Sequence, residues 1–281
     1  MTRPARPLNP QAGGALGIRS PRVKAARQLG KKSFRERGRS FLAEGPQAVR
    51  EALRQPGVLT ELFVTGHGSG RHPELVAQAA NQGVAIHDVS GEVMAELAQT
   101  ITPQGVLGVC GFVDVPLESL LARSPRLVSV LANVRDPGNA GTVLRTADAA
   151  GADGVIFTAA SVDPYNSKCV RSSAGSLFHL PVVVGVPLPT AIAGLRAAGL
   201  QVLAADGSAE LVVDSAGGPD LARPTAWMFG NEAWGLPDDV LALADTPVAV
   251  PIYGQAESLN LAAAAAVCLY ASARHLAAHP V

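Results

Sequence analysis

The sequence predicts an α/β protein built as two successive sheets, the second mostly parallel. Three observations carry that prediction. Strand-like and helix-like segments alternate along nearly the whole chain, with short turns between them. The strand-like segments of the second half are short, continuous apolar runs, as parallel strands covered on both faces require. Of 281 residues 48% are hydrophobic, enough for one large domain or two modest ones. Aromatic residues make up only 4%, so Ala, Val and Leu must fill the cores.

In chain order, residues 1–18 are rich in Pro, Gly and Arg and read as a disordered leader without an apolar signal-peptide centre. Residues 20–30 read as a short basic helix with Ser20 as N-cap and Pro21 at its first position. Strands follow at 40–45, 59–66, 83–89 and 105–113, with helices at 46–55, 73–82 and 90–99 between them. These form a compact unit, 19–113 including its basic arm, and residues 114–125 form a linker. The second unit, 126–281, begins with a buried strand at 126–134. A helix at 139–151 comes next, with Asn139 as N-cap and Gly151 as its stop. Further strands lie at 154–158, 180–186, 201–206, 225–230 and 247–254, with helices at 190–199 and 237–244. A long Ala-rich helix, 257–276, closes the chain.

Formal net charge is zero, which argues against a generic polyanion binder. Charge is nevertheless concentrated locally. Arg19, Arg22, Lys24, Arg27, Lys31, Lys32, Arg35, Arg37 and Arg39 face the single acid Glu36, a basic face suited to a directed contact or to a solvated arm. The three cysteines, Cys110, Cys169 and Cys268, have no CxxC spacing and give no metal site or disulfide frame, as in a reduced cytosolic interior. No apolar run reads as a membrane span.

Ligands of open parallel sheets sit beyond the carboxyl ends of strands. Three such ends carry unusual residues. The first runs from Asn133 through Arg135, Asp136, Pro137, Gly138 and Asn139 to Gly141, a rigid bend whose free amides and helix N-terminus suit an anionic group. Arg145 lies on the first turns of that helix, pointing back toward the strand end. The second spans Phe229 to Leu236, where Gly230 permits close backbone approach and Glu232 is a ready acceptor. The third runs from Val250 to Leu261 and opens the last helix. A Ser258 cap explains itself, but Asn260 inside the first turn does not, because Asn is a poor helix former there.

In this order, and each at a strand end, these segments resemble the three signature motifs of the SpoU (TrmH-like) branch of the SPOUT RNA methyltransferases. Residues 41–53, Phe-Leu-Ala-Glu-Gly-Pro and then Val49-Arg50-Glu51-Ala52-Leu53, resemble the small L30e-like RNA-binding domain that often precedes the catalytic one. The resemblance implies a homodimer whose catalytic domain carries a deep trefoil knot made by the last strands and the C-terminal helix. It implies S-adenosylmethionine held largely by backbone groups at Gly230, Asn231, Val250, Ile252, Ser258, Leu259 and Leu261. Arg145, Asn139, Glu232, Ser258 and Asn260 stand at the positions that the family uses around the reacting groups. Val250 replaces the usual isoleucine. The segment from Asn166 to Gly175 resembles the polar loop facing the substrate, and Arg171 on it, with Arg35, Arg37 and Arg39 of the arm, is expected to touch RNA.

The implied activity is methyl transfer from S-adenosylmethionine to a ribose 2′-hydroxyl of ribosomal RNA of the 23S type, in the cytoplasm, with no metal. Transfer RNA is the alternative substrate, and a non-catalytic RNA-binding protein of the same fold is the alternative function. A nucleotide-dependent oxidoreductase, or a Rossmann-like methyltransferase, wants a glycine-rich loop. The nearest string, Gly66-His67-Gly68-Ser69-Gly70-Arg71, ends in Arg where the last Gly belongs. Cys169 beside Lys168 is a conceivable nucleophile without a His partner, and packs better as a small hydrophobe.

Overall fold

The structure, a computed structural model, describes residues 14–98 and 100–279. The first part of the chain contains α1 (Pro21–Gln28), α2 (Lys32–Gly38), β1 (Ser40–Glu44), α3 (Pro46–Leu53), β2 (Leu59–Val64), α4 (Gly66–Arg71), α5 (Pro73–Asn81), β3 (Ala85–Asp88), α6 (Gly91–Ala98) and β4 (Val106–Gly111). Its strands form one sheet in the order β1-β4-β2-β3, antiparallel except for the β2–β3 pair. After α7 (Leu117–Leu121) come β5 (Leu127–Leu131), α8 (Pro137–Ala149), β6 (Gly154–Thr158), α9 (Ser167–Ser172), β7 (Val182–Val186) and α10 (Leu188–Ala197). The chain ends with β8 (Gln201–Ala205), β9 (Thr225–Phe229), α11 (Asp238–Leu241), β10 (Thr246–Val248) and α12 (Leu261–Ala278). These six strands are all parallel, in the order β10-β8-β9-β5-β6-β7. The expected α/β class, with a parallel second sheet, is the observed one.

Alternation along each strand sends neighbouring side chains to opposite faces. Leu127, Leu131, Phe157, Trp227 and Phe229 face α8, α9 and α12, whereas Val128, Val130, Ile156, Ala226 and Met228 face α7 and α10. The first face is continuous with Phe41, Ala43 and Leu62 of the small sheet and Val49 of α3, so a single core runs through both units. At their seam Tyr165 stacks on Phe112 at 3.8 Å and lies 4.8 Å from Phe41. Its hydroxyl donates to Asp114 (2.7 Å) and accepts from the Val113 and Asp114 amides. Arg35 meets Asp163 at 2.6 and 2.9 Å, and Arg171 meets Glu44 at 3.0 Å.

Several expectations shift. Residues 1–13 of the expected leader lie outside the described residues, but Leu16 bridges to Val89 and packs with Ile18 against a core of Val23, Phe63 and Met94. The basic arm contains a second helix, α2, whose Arg35 is only 4% exposed. The linker holds α7, which buries Leu117 and Leu120. Gly66–Arg71 is helical, capped by Thr65, which accepts from Gly68 N. The last strand stops at Val248, and α12 starts only at Leu261. That helix has 18 residues at mean hydropathy 1.4, long and apolar enough for a membrane span by length and composition, contrary to expectation. Ala265, Cys268, Leu269 and Ser272 are nevertheless buried, and Ser272 accepts from Trp227 Nε1 on β9 at 2.8 Å.

Candidate active site

Beyond the ends of β5 and β9 the chain makes two tight turns that lock into each other. After β5, Asn133 takes a left-handed conformation (φ 62°), and Arg135 Nε donates to its side chain at 2.7 Å. Asp136, not Asn139, caps α8: its carboxylate accepts from Asn139 N at 2.8 Å, and Pro137 occupies the first helical position. Lys168 Nζ lies 2.6 Å from the same carboxylate. The lysine first, and the Asn139 amide second, hold Asp136 below the ordinary carboxylate range. Lys168 reaches it because α9 crosses α8 at Gly141, where a Cβ would meet Ser172 Oγ at 2.0 Å and Cys169 O at 2.3 Å.

After β9, residues 231 and 235 exchange backbone hydrogen bonds of 2.8 and 2.9 Å. A Cβ on Gly230 would lie 2.4 Å from Gly235 O, so the close approach that requires this glycine is made by the chain itself. Asn231 donates to Asn133 O at 3.0 Å, joining the two turns. Glu232 accepts from the Arg135 and Asp136 amides (3.1 and 3.0 Å) and from Asn139 Nδ2 (3.3 Å).

The third segment closes the set. Asn260 is the N-cap of α12, not a residue inside it. Its Oδ1 accepts from Ala262 N at 2.9 Å, and its Nδ2 donates to Asn139 Oδ1 at 3.1 Å. Capping accounts for an Asn before a run of alanines, and leaves the amide nitrogen for Asn139. A continuous line, Glu232–Asn139–Asn260, therefore ties the turns after β5 and β9 to the start of α12, joining Asn139 to partners 93 and 121 positions away in sequence. Between Val250 and Leu259 the backbone makes no hydrogen bond among the described residues, and Ile252, Tyr253 and Leu259 are exposed. Ser258 is exposed there too, and Leu261 is the partly buried first residue of α12. Unpaired peptide groups beside apolar side chains suit a ligand held by backbone contacts.

Arg145 stands apart. It is the ninth residue of α8, in the third turn and not the first, exposed and without a hydrogen bond or ion pair among the described residues. Asn139 does not hold it. Of the expected RNA contacts, Arg35 is sealed into the seam and also donates to the Leu29 and Gly30 carbonyls (2.9 and 3.0 Å), so it is a structural tie. Arg37 lies over the Phe34 ring, and Arg39 lies over Phe112 while pairing with Asp114. Arg171 remains at a surface, on Glu44. All three cysteines are buried, and desolvation raises each thiol, Cys268 to about 12, so Cys169 is packing and not a nucleophile. Sequence reasoning passed over Asp136 and Lys168. An Asp directly before Pro at a helix start was the available signal for the first; the second depends on a helix crossing that no local pattern shows.

Comparison with known proteins follows the same division. Residues 126–270 match the SpoU rRNA Methylase family, and residues 20–108 match the MRM3-like substrate binding domain. The Bacillus subtilis protein named 23S rRNA (guanosine(2553)-2′-O)-methyltransferase RlmP is 36% identical over 256 residues, covering 90% of this chain and 96% of that protein. The crystal structure of an AdoMet-bound rRNA methyltransferase from Sinorhizobium meliloti has a TM-score of 0.80 at 32% identity, covering 93% of this chain and 97% of that one. The SpoU methyltransferase AviRb from Streptomyces viridochromogenes, in complex with AdoMet, has a TM-score of 0.79 at 29% identity, covering 92% and 100%.

Proposed function

We propose a specific activity for this chain, which belongs to the SpoU rRNA methylase family: transfer of the S-adenosylmethionine methyl group to a ribose 2′-hydroxyl of 23S-type ribosomal RNA. The observation that carries this reading is the hydrogen-bonded line Glu232–Asn139–Asn260, which gathers the three strand-end motifs at one place. The small unit, 19–113, presents the RNA, and residues 126–281 carry the chemistry, joined by 114–125.

S-adenosylmethionine supplies a methyl group on a sulfonium, an electrophile in need of an aligned oxygen nucleophile. Peptide groups at Gly230, Asn231, Val250, Ile252, Ser258, Leu259 and Leu261 would hold it, with Ile252 and Leu259 covering its apolar parts. Glu232 fixes the Arg135–Asp136 turn, and Asn139 and Asn260 fix the opposing helix starts, so the pocket walls keep their spacing. A guanidinium stays protonated, so Arg145 acts as a clamp on the RNA phosphate and on negative charge developing at the 2′-oxygen, not as a base. Its freedom from partners leaves it available for that. Ser258, at the mouth of the site, orients the ribose. Arg37 and Arg39 meet phosphates and Arg171 also touches the RNA; Arg35 does not.

We further propose a homodimer through the outer face of α12, where Val267 and Tyr270 are 42% and 47% exposed. The return of the chain from edge strand β10 to α12, which packs on central strands β9 and β5, supports a knotted C-terminus. The cytoplasm is the proposed site of action. The test is methyl transfer from labelled S-adenosylmethionine to purified ribosomal and transfer RNA, with the 2′-O-methyl position mapped. Labelled 23S RNA is the expected result; label on transfer RNA alone, or none, overturns the reading.

A further inference from the structure

A cavity of about 200 Å³ opens where the two units meet, away from the cofactor loops. Gln47 and Ala48 wall it from α3, Gln104 from the turn before β4, and Val170, Arg171 and Ala174 from the end of α9. Its floor is Glu44, 8% exposed, whose carboxylate accepts from Arg171 (3.0 Å) and from Thr100 Oγ1 (2.5 Å). Gln47 is occupied, donating to Glu51 at 3.1 Å and accepting from Arg50 at 3.2 Å. The Gln104 amide makes no hydrogen bond among the described residues, and Arg171 uses only Nη1.

That lining pairs an apolar wall with unused donors and an acceptor. The volume equals about six or seven waters and falls below the roughly 300 Å³ at which pockets for whole small molecules begin. It fits one flat ring system. The place also matters: Lys168, paired with Asp136 of the catalytic turn, and Arg171, at the cavity, are one helical turn apart on α9. Arg50, which donates to the lining residue Gln47 and pairs with Glu74, adds a second cation near the cavity, where a phosphate backbone would pass. RNA is read sequence-specifically through bases splayed out of the stack.

We propose that this cavity holds one unstacked nucleobase of the RNA substrate, its edge read by Gln104 and Arg171 and its face laid on Val170 and Ala174. The assignment rests on the methyltransferase reading and adds to it the element that selects sequence. RNA backbone crossing α9 from the catalytic turn places a neighbouring base here while the target ribose stands at the motifs.

The test uses full-length protein and 23S ribosomal RNA transcripts. Gln104→Ala and Arg171→Lys, the second keeping the charge on Glu44 but losing the planar fork, should each raise KM for RNA about 3- to 10-fold, one hydrogen bond's worth. Affinity for S-adenosylmethionine should stay at the wild-type value. Photo-cross-linking with 4-thiouridine or 6-thioguanosine transcripts should label the segment around Gln104 or residues 168–174, and the reactive analogue tells which base is held. KM values within twofold of wild type, or cross-links only elsewhere, overturn the proposal. Wild-type protein that methylates RNA while both variants match it removes the base pocket alone. Wild-type protein that never methylates ribosomal RNA removes the enzymatic reading, and cross-linking still decides the pocket.

Discussion

The seam between the two units and the mouth of the cofactor site are built on opposite principles. Along most of the seam the strong groups are answered from within the chain: Arg35 by Asp163, Arg171 Nη1 by Glu44, the Tyr165 hydroxyl by Asp114 and two amides. At the mouth, Trp234, Ile252, Tyr253 and Leu259 are exposed and the backbone from Val250 to Leu259 has no hydrogen bond among the described residues. Apart from the cavity beside Glu44, the seam is closed by its own contacts, whereas those peptide groups of the mouth have none among the described residues. The same contrast divides the arginines: buried Arg35 is spent on architecture, and Arg145 is exposed with no hydrogen bond or ion pair among the described residues.

The largest way to break this contrast is at the seam. Arg35→Ala strands the Asp163 carboxylate, 10% exposed, and should cost about 3–5 kcal/mol in guanidinium unfolding while leaving the salt dependence of RNA binding intact. A drop below 1 kcal/mol would show that the seam is no stronger than a surface contact. Next comes Arg145→Ala, which removes no hydrogen bond or ion pair among the described residues. Turnover should fall about 100- to 1000-fold with the melting temperature unmoved. Full activity would end the clamp assignment. Glu232→Gln keeps the shape of the turn but loses the charge that three N–H donors point at, a change of about 10- to 100-fold in kcat/KM by steady-state kinetics.

The smallest effect is a pH dependence. His179 joins Asp148 (2.7 Å) to Glu51 (3.1 Å) across the seam. Burial works against its charge, but the two carboxylates outweigh burial and raise its pKa above the ordinary 6.5. Its stabilising contribution is therefore full below pH 6.5 and is lost as pH rises through the raised value. The melting temperature should decline over that window, and His179→Gln should flatten the decline.

Regular elements were legible because each announces itself locally. Apolar runs marked the ten strands among the described residues, continuous ones in the parallel sheet, and Gly151, at φ 70°, ended α8 as read. The cap positions were less legible, since Asp136 and Asn139 are both good caps three residues apart and only the Lys168 contact and the Pro decide between them. Helix α2 escaped for a different reason. Its sequence, Lys-Ser-Phe-Arg-Glu-Arg-Gly, has no apolar stripe, and what fixes it is a buried ion pair with a residue 128 positions away. In the site, the motif residues could be named from sequence, but the Glu232–Asn139–Asn260 line could not, because no spacing encodes which amide faces which.

The chain's two tryptophans fall on opposite sides of this architecture. Trp227 is fully enclosed in the central sheet, its indole N–H held by Ser272, while Trp234 is 57% exposed two residues beyond Glu232. The protein thus carries its own pair of fluorophores, one blue-emitting and insensitive to solutes, the other red-emitting and open to collisional quenching. Acrylamide access that falls on adding ligand would report Trp234 alone, and a red shift on heating would report Trp227. Loop occupancy and global melting can be followed in one cuvette, without a dye.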